Sequence, residues 1–478
     1  MFGLGNALAR LRRRVSTTAE DAARVNPSVG KALAQAPRIV PRSEHTISRR
    51  NISPGALRVL YRLHEAGFAA FLVGGAVRDL LLGGSPKDFD VATDATPEQV
   101  RQLFRNCRLI GRRFRLAHVV FGREIVEVAT FRGHGEDGER EVHDDGRILR
   151  DNVWGSIEED ALRRDFRVNA LYYDIADFSV RDYVGGMDDL ARRQLQLIGD
   201  AEQRYREDPV RMLRAARLSA KLDFAIAPAS AAPMRALVPL LADVSPARLF
   251  DECIKLFMAG HGQASFAALE RHGLLDALIP GLPAALARDA DGGLRRMLEA
   301  GLAGTDARVH ADKPVTPAFS FAVLLWSAVQ QTLAHHAAED AETHAAWLHA
   351  AQQAIARQSA RVAIPRRYSV VMEEIWALQP RFEVRSPRSR VQRLLAHPRF
   401  RAGYDFLLLR ALQQPSLQAL AQWWTEAQQS GSLPTVPAAL PDEVGEEGSV
   451  PAPARATRRR RRGGRGRRRA GTSGDGSA

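Results

Sequence analysis

Cysteine is almost missing from this chain: 478 residues carry two, Cys107 and Cys253, in unrelated contexts. That argues against a disulfide scaffold or a cysteine-ligated zinc framework and points to a reducing compartment. Long apolar runs are missing as well. The longest, Phe319 to Val329, is too short to cross a bilayer and reads as a buried helix, so no transmembrane segment is expected. The amino terminus, MFGLGNALARLRRRV, has a brief apolar run whose charges follow rather than precede it, which does not read as a secretory signal. A cytoplasmic location is the expectation. No P-loop, nucleophile elbow or dinucleotide fingerprint occurs. Acidic residues are wholly lacking from one segment, Arg455 to Arg469, which holds ten arginines. The formal charge of +13 falls to +3 when those ten are subtracted, so the basic excess sits in the tail. A block of that kind repels itself, stays unfolded and is drawn to phosphate backbones.

What is present is concentrated between residues 71 and 90. Phe71-Leu-Val-Gly-Gly-Ala-Val-Arg-Asp79 is an apolar strand running through paired glycines into a helix. Gly74 and Gly75 let backbone approach a bulky anion, and the helix start offers free N–H groups. Asp88 and Asp90 follow. In an extended strand this spacing puts both carboxylates on one face, with Phe89 and Val91 on the other. Two like charges held so close repel unless a cation lies between them. Hard oxygen ligands beside a phosphate cradle suit Mg²⁺-dependent phosphoryl or nucleotidyl chemistry, with Mn²⁺ as a substitute. A third carboxylate is usually wanted. Glu127 interrupts the apolar strand Ile125 to Ala129, where a charge is otherwise expensive, and Asp165 of Arg163-Arg-Asp165 is the other candidate.

The runs LVGGAVRDLLLG, KDFDVATDATPEQV and RRDFRVNALYYD closely resemble the class II branch of the polymerase-beta-like nucleotidyltransferases. That family contains bacterial poly(A) polymerases and CCA-adding tRNA nucleotidyltransferases. LFRNCRLIGRRFRLAHVVFG, RDNVWGSIEEDALRRDF and RYREDPVRMLRAARLSAKL are similar to its poly(A)-adding members. The resemblance is dense from about Ile52 to Leu222 and thinner beyond. It implies template-independent transfer of AMP from ATP to RNA 3′ ends, with two divalent ions and release of pyrophosphate. Asp88, Asp90 and Asp165 would be catalytic, with the metal on Asp88 and Asp90. Asp165 is preferred over Glu127 by this analogy. Gly74, Gly75 and Arg78 would face the triphosphate, and Arg163, Arg164 and Arg167 with Asn169 would form a second polar group. A salt bridge from Arg78 to Asp79 or Asp88 is the competing structural reading. Glu207, Asp208 and Arg211 match the Glu-Asp-x-x-Arg element that reads the incoming base, and a carboxylate with a guanidinium can match a base edge. Arg211, Arg214 and Arg217 share one helix side, within an arc of about 120°, and all three are expected to bind the nucleotide. Two departures concern substrate contact: Arg167-Val168 replaces a Thr-Ile pair, and Ala76 replaces a third glycine.

The fold class expected is α+β, a small mixed-sheet head followed by an all-helical neck and body. The division reads 1–52 as a mobile segment, 53–198 as the catalytic head and 199–262 as a base-recognising neck. Residues 263–430 read as an RNA-binding body, and 431–478 as a disordered arginine-rich tail. In the head, helices are expected from Pro54 to Gly67, after Gly75, and from Pro97 behind a Thr96 cap. Strands are expected at AAFLVGG, at the aspartates, and at LAHVVFG and EIVEVATFR, the last two joined at Gly122-Arg123. Residues 136–150 read as a flexible loop beside the site. Body helices are expected at 318–335, 342–359, 369–378, 389–396, 402–412 and 416–429. The tail arginines Arg458, Arg459, Arg460, Arg461, Arg462, Arg465, Arg467, Arg468 and Arg469 would bind RNA. His335, His336, His344 and His349 sit among Ala, Glu and Gln and read as a solvated helix face. Expected partners are RNA 3′ ends, ATP and RNA-decay proteins. The competing functions are a CCA-adding enzyme and a non-catalytic RNA-binding protein on a transferase fold.

Overall fold

The computed structural model describes residues 36–429, apart from 112–114, 134–139, 143–147, 152–153 and 338–343. The arginine block therefore lies outside the described residues. An eight-stranded sheet forms from β1 (Arg38–Val40), β2 (Ala70–Val73), β3 (Asp90–Thr93), β4 (Cys107–Ile110), β5 (Leu116–Phe121), β6 (Glu124–Thr130), β9 (Leu171–Asp174) and β10 (Val180–Asp182). Its order is β1-β10-β9-β2-β3-β6-β5-β4, antiparallel throughout except for the parallel β3–β6 pair. β2 lies fourth in this order and all four of its residues are buried, which explains its unbroken apolar run.

Local signals place the helices. Ser53 caps α1 (Pro54–Glu65), accepting from Ala56 N at 3.1 Å, and proline fills the first position. The buried stripe Val59, Leu60 and Leu63 packs that helix on β2, β3 and β6. α2 (Gly75–Leu81) follows the glycine pair directly. Thr96 and Gln99 form a capping box on α3 (Pro97–Leu103), and Ser156 and Glu159 form another on α4 (Ile157–Arg163).

Two expectations need correction. Residues 38–52 belong to the fold: β1 pairs with β10, and Val40, Ile47 and Ile52 are buried. Short, polar-flanked apolar positions carry too little periodicity to announce themselves. Within 136–150, expected as a flexible loop, β7 (Arg140–Val142) pairs antiparallel with β8 (Ile148–Asp151), while 136–139 and 143–147 lie outside the described residues.

Beyond α5 (Gly186–Ala191) the only strands among the described residues are a two-residue parallel pair, Gln194–Leu195 with Ala225–Ile226, and the regular elements are otherwise helices. α6 (Ala201–Glu207) and α7 (Val210–Leu222) lead into the body. The expected body helices appear at Pro317–Leu324 and Trp326–Ala337, His344–Arg361, Arg366–Ala377, Arg388–Leu395, Phe400–Gln413 and Gln418–Gln429. The helices Leu282–Ala287, Gly293–His310 and Gln379–Glu383 were not anticipated; in Gly293–His310 glycine and alanine dilute the apolar stripe. Gly301 has a packing reason: a Cβ there would stand 2.8 Å from Val323 Cγ1 and 3.3 Å from Leu409 Cδ1. The main hydrophobic core runs unbroken from Val40 to Phe406, and a second cluster gathers Phe382, Phe400 and Trp424. Among the described residues no helix is long and apolar enough to cross a membrane.

Candidate active site

β2 ends at Val73, whose register partners are Asp90 on β3 and Tyr172 on β9. The chain then turns through Gly74 at φ 78°, ψ −139°, a conformation costly for any residue with a Cβ. A Cβ there would lie 3.7 Å from Arg164 Nη1 and 3.8 Å from Asp90 Oδ2. Glycine turn, carboxylate and guanidinium therefore meet at one point.

Asp88 precedes β3 rather than lying in it, yet the alternation holds: Asp88 and Asp90 are exposed, while Phe89 and Val91 are buried. The parallel register sets Glu127 directly beside Asp90, and its side chain is 48% exposed. On the far side of Glu127, His118 Nε2 approaches its Oε1 at 3.2 Å. Asp90 opens to solvent, but the protein mass around it displaces much of its water. That desolvation, reinforced by the charges of Glu127 and Asp88 and opposed by Arg164, pushes its carboxyl up to about 6. A carboxylate so raised gains from a cation. Asp88 and Asp90 present hard carboxylate oxygens of the kind that could hold Mg²⁺. Among the described residues no trio of His, Cys, Asp or Glu could by itself hold a metal ion.

Arg164 is held from behind. Its Nε donates to Tyr172 Oη at 2.9 Å and to Asp160 Oδ2 at 3.2 Å, and its Nη2 donates to the same carboxylate oxygen at 3.0 Å. Tyr172 Oη donates to Asp160 Oδ2 at 2.6 Å, and Asp160 Oδ1 accepts from Arg132 N at 3.3 Å. Burial alone would weaken the guanidinium's charge, but the Tyr172 and Asp160 contacts raise its pKa above the ordinary value. Nη1 is left on the Gly74 side.

Arg78, expected to face the triphosphate, instead faces inward. It is 3% exposed, bonded to Asp79 at 2.6 Å and donating to Asn169 Oδ1 at 2.5 Å, because α2 packs that face on the segment after α4. The competing salt bridge to Asp79 is therefore the one observed. Gly75 lies against this same guanidinium. Asp165 is engaged too. Its Oδ1 accepts from Phe166 N at 2.8 Å and Asn169 Nδ2 at 3.2 Å, and its Oδ2 takes both Nε and Nη2 of Arg214. Burial would raise its pKa, but the Arg214 guanidinium outweighs that and holds it well below the usual carboxylate range. Glu127, not Asp165, is the carboxylate that the sheet lines up with Asp90.

In the neck, Glu207 and Arg211 pair at 2.9 Å, and Asp208 pairs with Arg248 at 2.6 Å. Arg217 reaches Glu252 at 3.3 Å, and Arg167 Nη1 lies near Gly185. The three arginines on α7 thus tie it to other elements: Arg211 to α6, Arg214 to the segment after α4 and Arg217 to the helix Pro246–Phe257.

Three family models match the chain: "Poly A polymerase head domain" at residues 70–196, "Probable RNA and SrmB- binding site of polymerase A" at 223–286, and "Polymerase A arginine-rich C-terminus" at 339–467. Poly(A) polymerase I of Escherichia coli O6:H1 is 49% identical over 443 residues, spanning 91% of this chain and 94% of its own length. The chain belongs to the poly(A) polymerase I family. The CCA-adding enzyme of Bacillus pumilus is similar over a shorter reach, 37% identical over 228 residues, 48% of this chain and 55% of its own. A solved tRNA nucleotidyltransferase complexed with a primer tRNA and an ATP analog shares the fold at TM-score 0.53 and 21% identity, covering 79% of this chain and all of that one (100%).

Sequence reasoning within this family overlooked Asp160, Tyr172, Asp182 and Arg204. Asp160 lies four residues before Arg164, a helix pairing that was available to be read. Asp182 gathers the backbone N–H groups of Val184, Gly185, Gly186 and Met187 at 2.9–3.1 Å, setting the turn against Arg167. Arg204 lies three residues before Glu207, another helix pairing, while nothing local marks Tyr172.

Proposed function

We propose that this chain extends RNA 3′ ends with AMP taken from ATP, without a template. The observation that carries this reading is the convergence of Gly74, Asp90 and Arg164 in a chain 49% identical over 91% of its length to a poly(A) polymerase I. The RNA 3′-hydroxyl loses its proton to solvent as its oxygen attacks the α-phosphorus, a P–O bond forms, the α–β bridging bond breaks, and pyrophosphate leaves. Asp88 and Asp90 would hold Mg²⁺, or Mn²⁺ in its place, with Glu127 as the adjoining third carboxylate. Bound there, divalent ions stabilise the attacking and leaving oxygens. Gly74 clears room for the phosphates. Arg164 presents Nη1 to them, kept in place by Asp160 and Tyr172, and needs no reorganisation when charge develops. Asp165 and Asn169 hold the head segment to α7 through Arg214. Glu207 and Arg211 face the adenine, while Asp208 braces the neck through Arg248. Residues from 223 onward and the arginine tail carry the RNA, in a cytoplasmic setting where RNA-decay proteins are natural partners.

The decisive experiment incubates the protein with Mg²⁺, a generic RNA and each triphosphate separately. A long ladder with ATP alone is expected, and it disappears in folded Asp88→Asn and Asp90→Asn variants. Short CTP-then-ATP addition confined to tRNA would make it a CCA-adding enzyme. Binding of RNA with no extension under any triphosphate would leave only a binding protein.

A further inference from the structure

Arg204 bonds the phosphate-facing Arg164 only at its backbone and contacts neither Asp88 nor Asp90, yet it links two groups that do the recognising. It lies on α6, with its side chain 12% exposed. Its Nη2 donates to the carbonyl of Arg163 at 2.7 Å and to that of Arg164 at 2.6 Å. Those carbonyls close α4, where unpaired C=O groups and the negative end of the helix dipole favour a cation. Its Nη1 donates to Glu207 Oε2 at 2.7 Å. Its own carbonyl accepts from Arg211 Nη1 at 2.6 Å, and Arg211 Nη1 also donates to Glu207 Oε2 at 2.9 Å. One residue thus grips the backbone beneath the phosphate-facing Arg164 and, at the same time, both members of the Glu207–Arg211 pair.

We propose that Arg204 is a positioning residue for nucleotide selection, setting the Glu207–Arg211 pair at a fixed offset from Arg164. This rests on the reading of Glu207 and Arg211 as the base-facing pair. A triphosphate anchored by its phosphates at Arg164 presents its base edge at one distance and tilt. The pair discriminates among bases only if it is held at that same offset, because a carboxylate–guanidinium edge tests donors and acceptors by position. Without the planar fork of Arg204, Glu207 and Arg211 keep each other but lose their tie to the phosphate end. Lysine cannot replace it, since one ammonium cannot span two carbonyls and a carboxylate from separated nitrogens. The cost of holding this cation in a crowded site shows in its pKa, which desolvation and neighbouring Arg211 bring down to about 10.

The test measures kcat/KM for ATP and for CTP in wild type, Arg204→Met, Arg204→Lys, Arg211→Ala and the Arg204→Met/Arg211→Ala double variant, with thermal midpoints alongside. Arg204→Met is expected to lower the ATP-over-CTP ratio by about tenfold, in keeping with loss of charge-assisted hydrogen bonds. Arg204→Lys should lower it comparably with a midpoint closer to wild type, and it carries the test if the methionine variant does not fold. In the Arg211→Ala background the further loss should be under about twofold, since the strut then has no pair to position. If Arg211→Ala shifts the ratio and neither Arg204 variant does, the strut is refuted and the base-facing pair stands. Equal losses for both triphosphates reduce Arg204 to fold support and also refute it. An unchanged ratio in Arg211→Ala removes the base-facing reading and the strut with it.

Discussion

Replacing Asp165 by asparagine separates two roles that its motif allows, metal ligand and clamp. The carboxylate is 12% exposed and Arg214, 35% exposed, closes on it through two nitrogens while Asn169 and Phe166 N occupy the other oxygen. Asparagine keeps the shape but removes the charge and leaves the Arg214 fork facing an amide. Breaking a buried pair from one side costs about 3–5 kcal/mol, and the solvent reaching Arg214 brings the expected loss toward about 3. Urea denaturation should show that loss in Asp165→Asn. In a cycle with Arg214→Met, the double variant should be destabilised by clearly less than the two singles combined. The pH dependence has a definite sign. The folded pKa is depressed, so the clamp's stabilisation is complete above the unfolded value of about 3.9 and drains away as pH falls below it. As a clamp, Asp165→Asn should reduce turnover while leaving the Mg²⁺ concentration for half-maximal activity unchanged. A stability loss below about 0.5 kcal/mol with no coupling, or a several-fold rise in Mg²⁺ requirement, would refute the argument.

At Asp90 the pKa shift is opposite, raised to about 6 in the folded protein, and because a metal needs the deprotonated form the loss again comes on acidification. Mg²⁺ affinity should fall as pH drops through that value, and titrations at about pH 5 and about pH 8 giving the same affinity would exclude it as a ligand. Deleting the chain beyond about residue 432 should leave nucleotide chemistry on short RNA intact. It should weaken RNA binding at low salt, with a shallower salt slope from lost counterion release and a gap that narrows as salt rises. Identical affinity and slope with and without the tail would rule out its RNA role.

The local chemistry of this protein was legible in its sequence. Gly74 had to be glycine, Asp88 and Asp90 had to alternate with buried Phe89 and Val91, and the helix start at Thr96 follows from capping. Such features depend on neighbours within a few residues, and periodicity and dihedral preference report them faithfully. Partnerships did not follow from the same signals. Arg78 turned inward to Asn169, 91 residues away, rather than outward to phosphate, and Asp165 met Arg214 across 49 residues. Glu127 came to Asp90 through the register of a parallel strand pair, and Arg204 came to the end of α4 across about 40 residues. An arginine carries the same charge and the same fork wherever it stands, so its type says only that it will find an acceptor. Which acceptor it finds is decided when the sheet and helices bury their apolar faces against one another and bring particular side chains within 3 Å or so of each other.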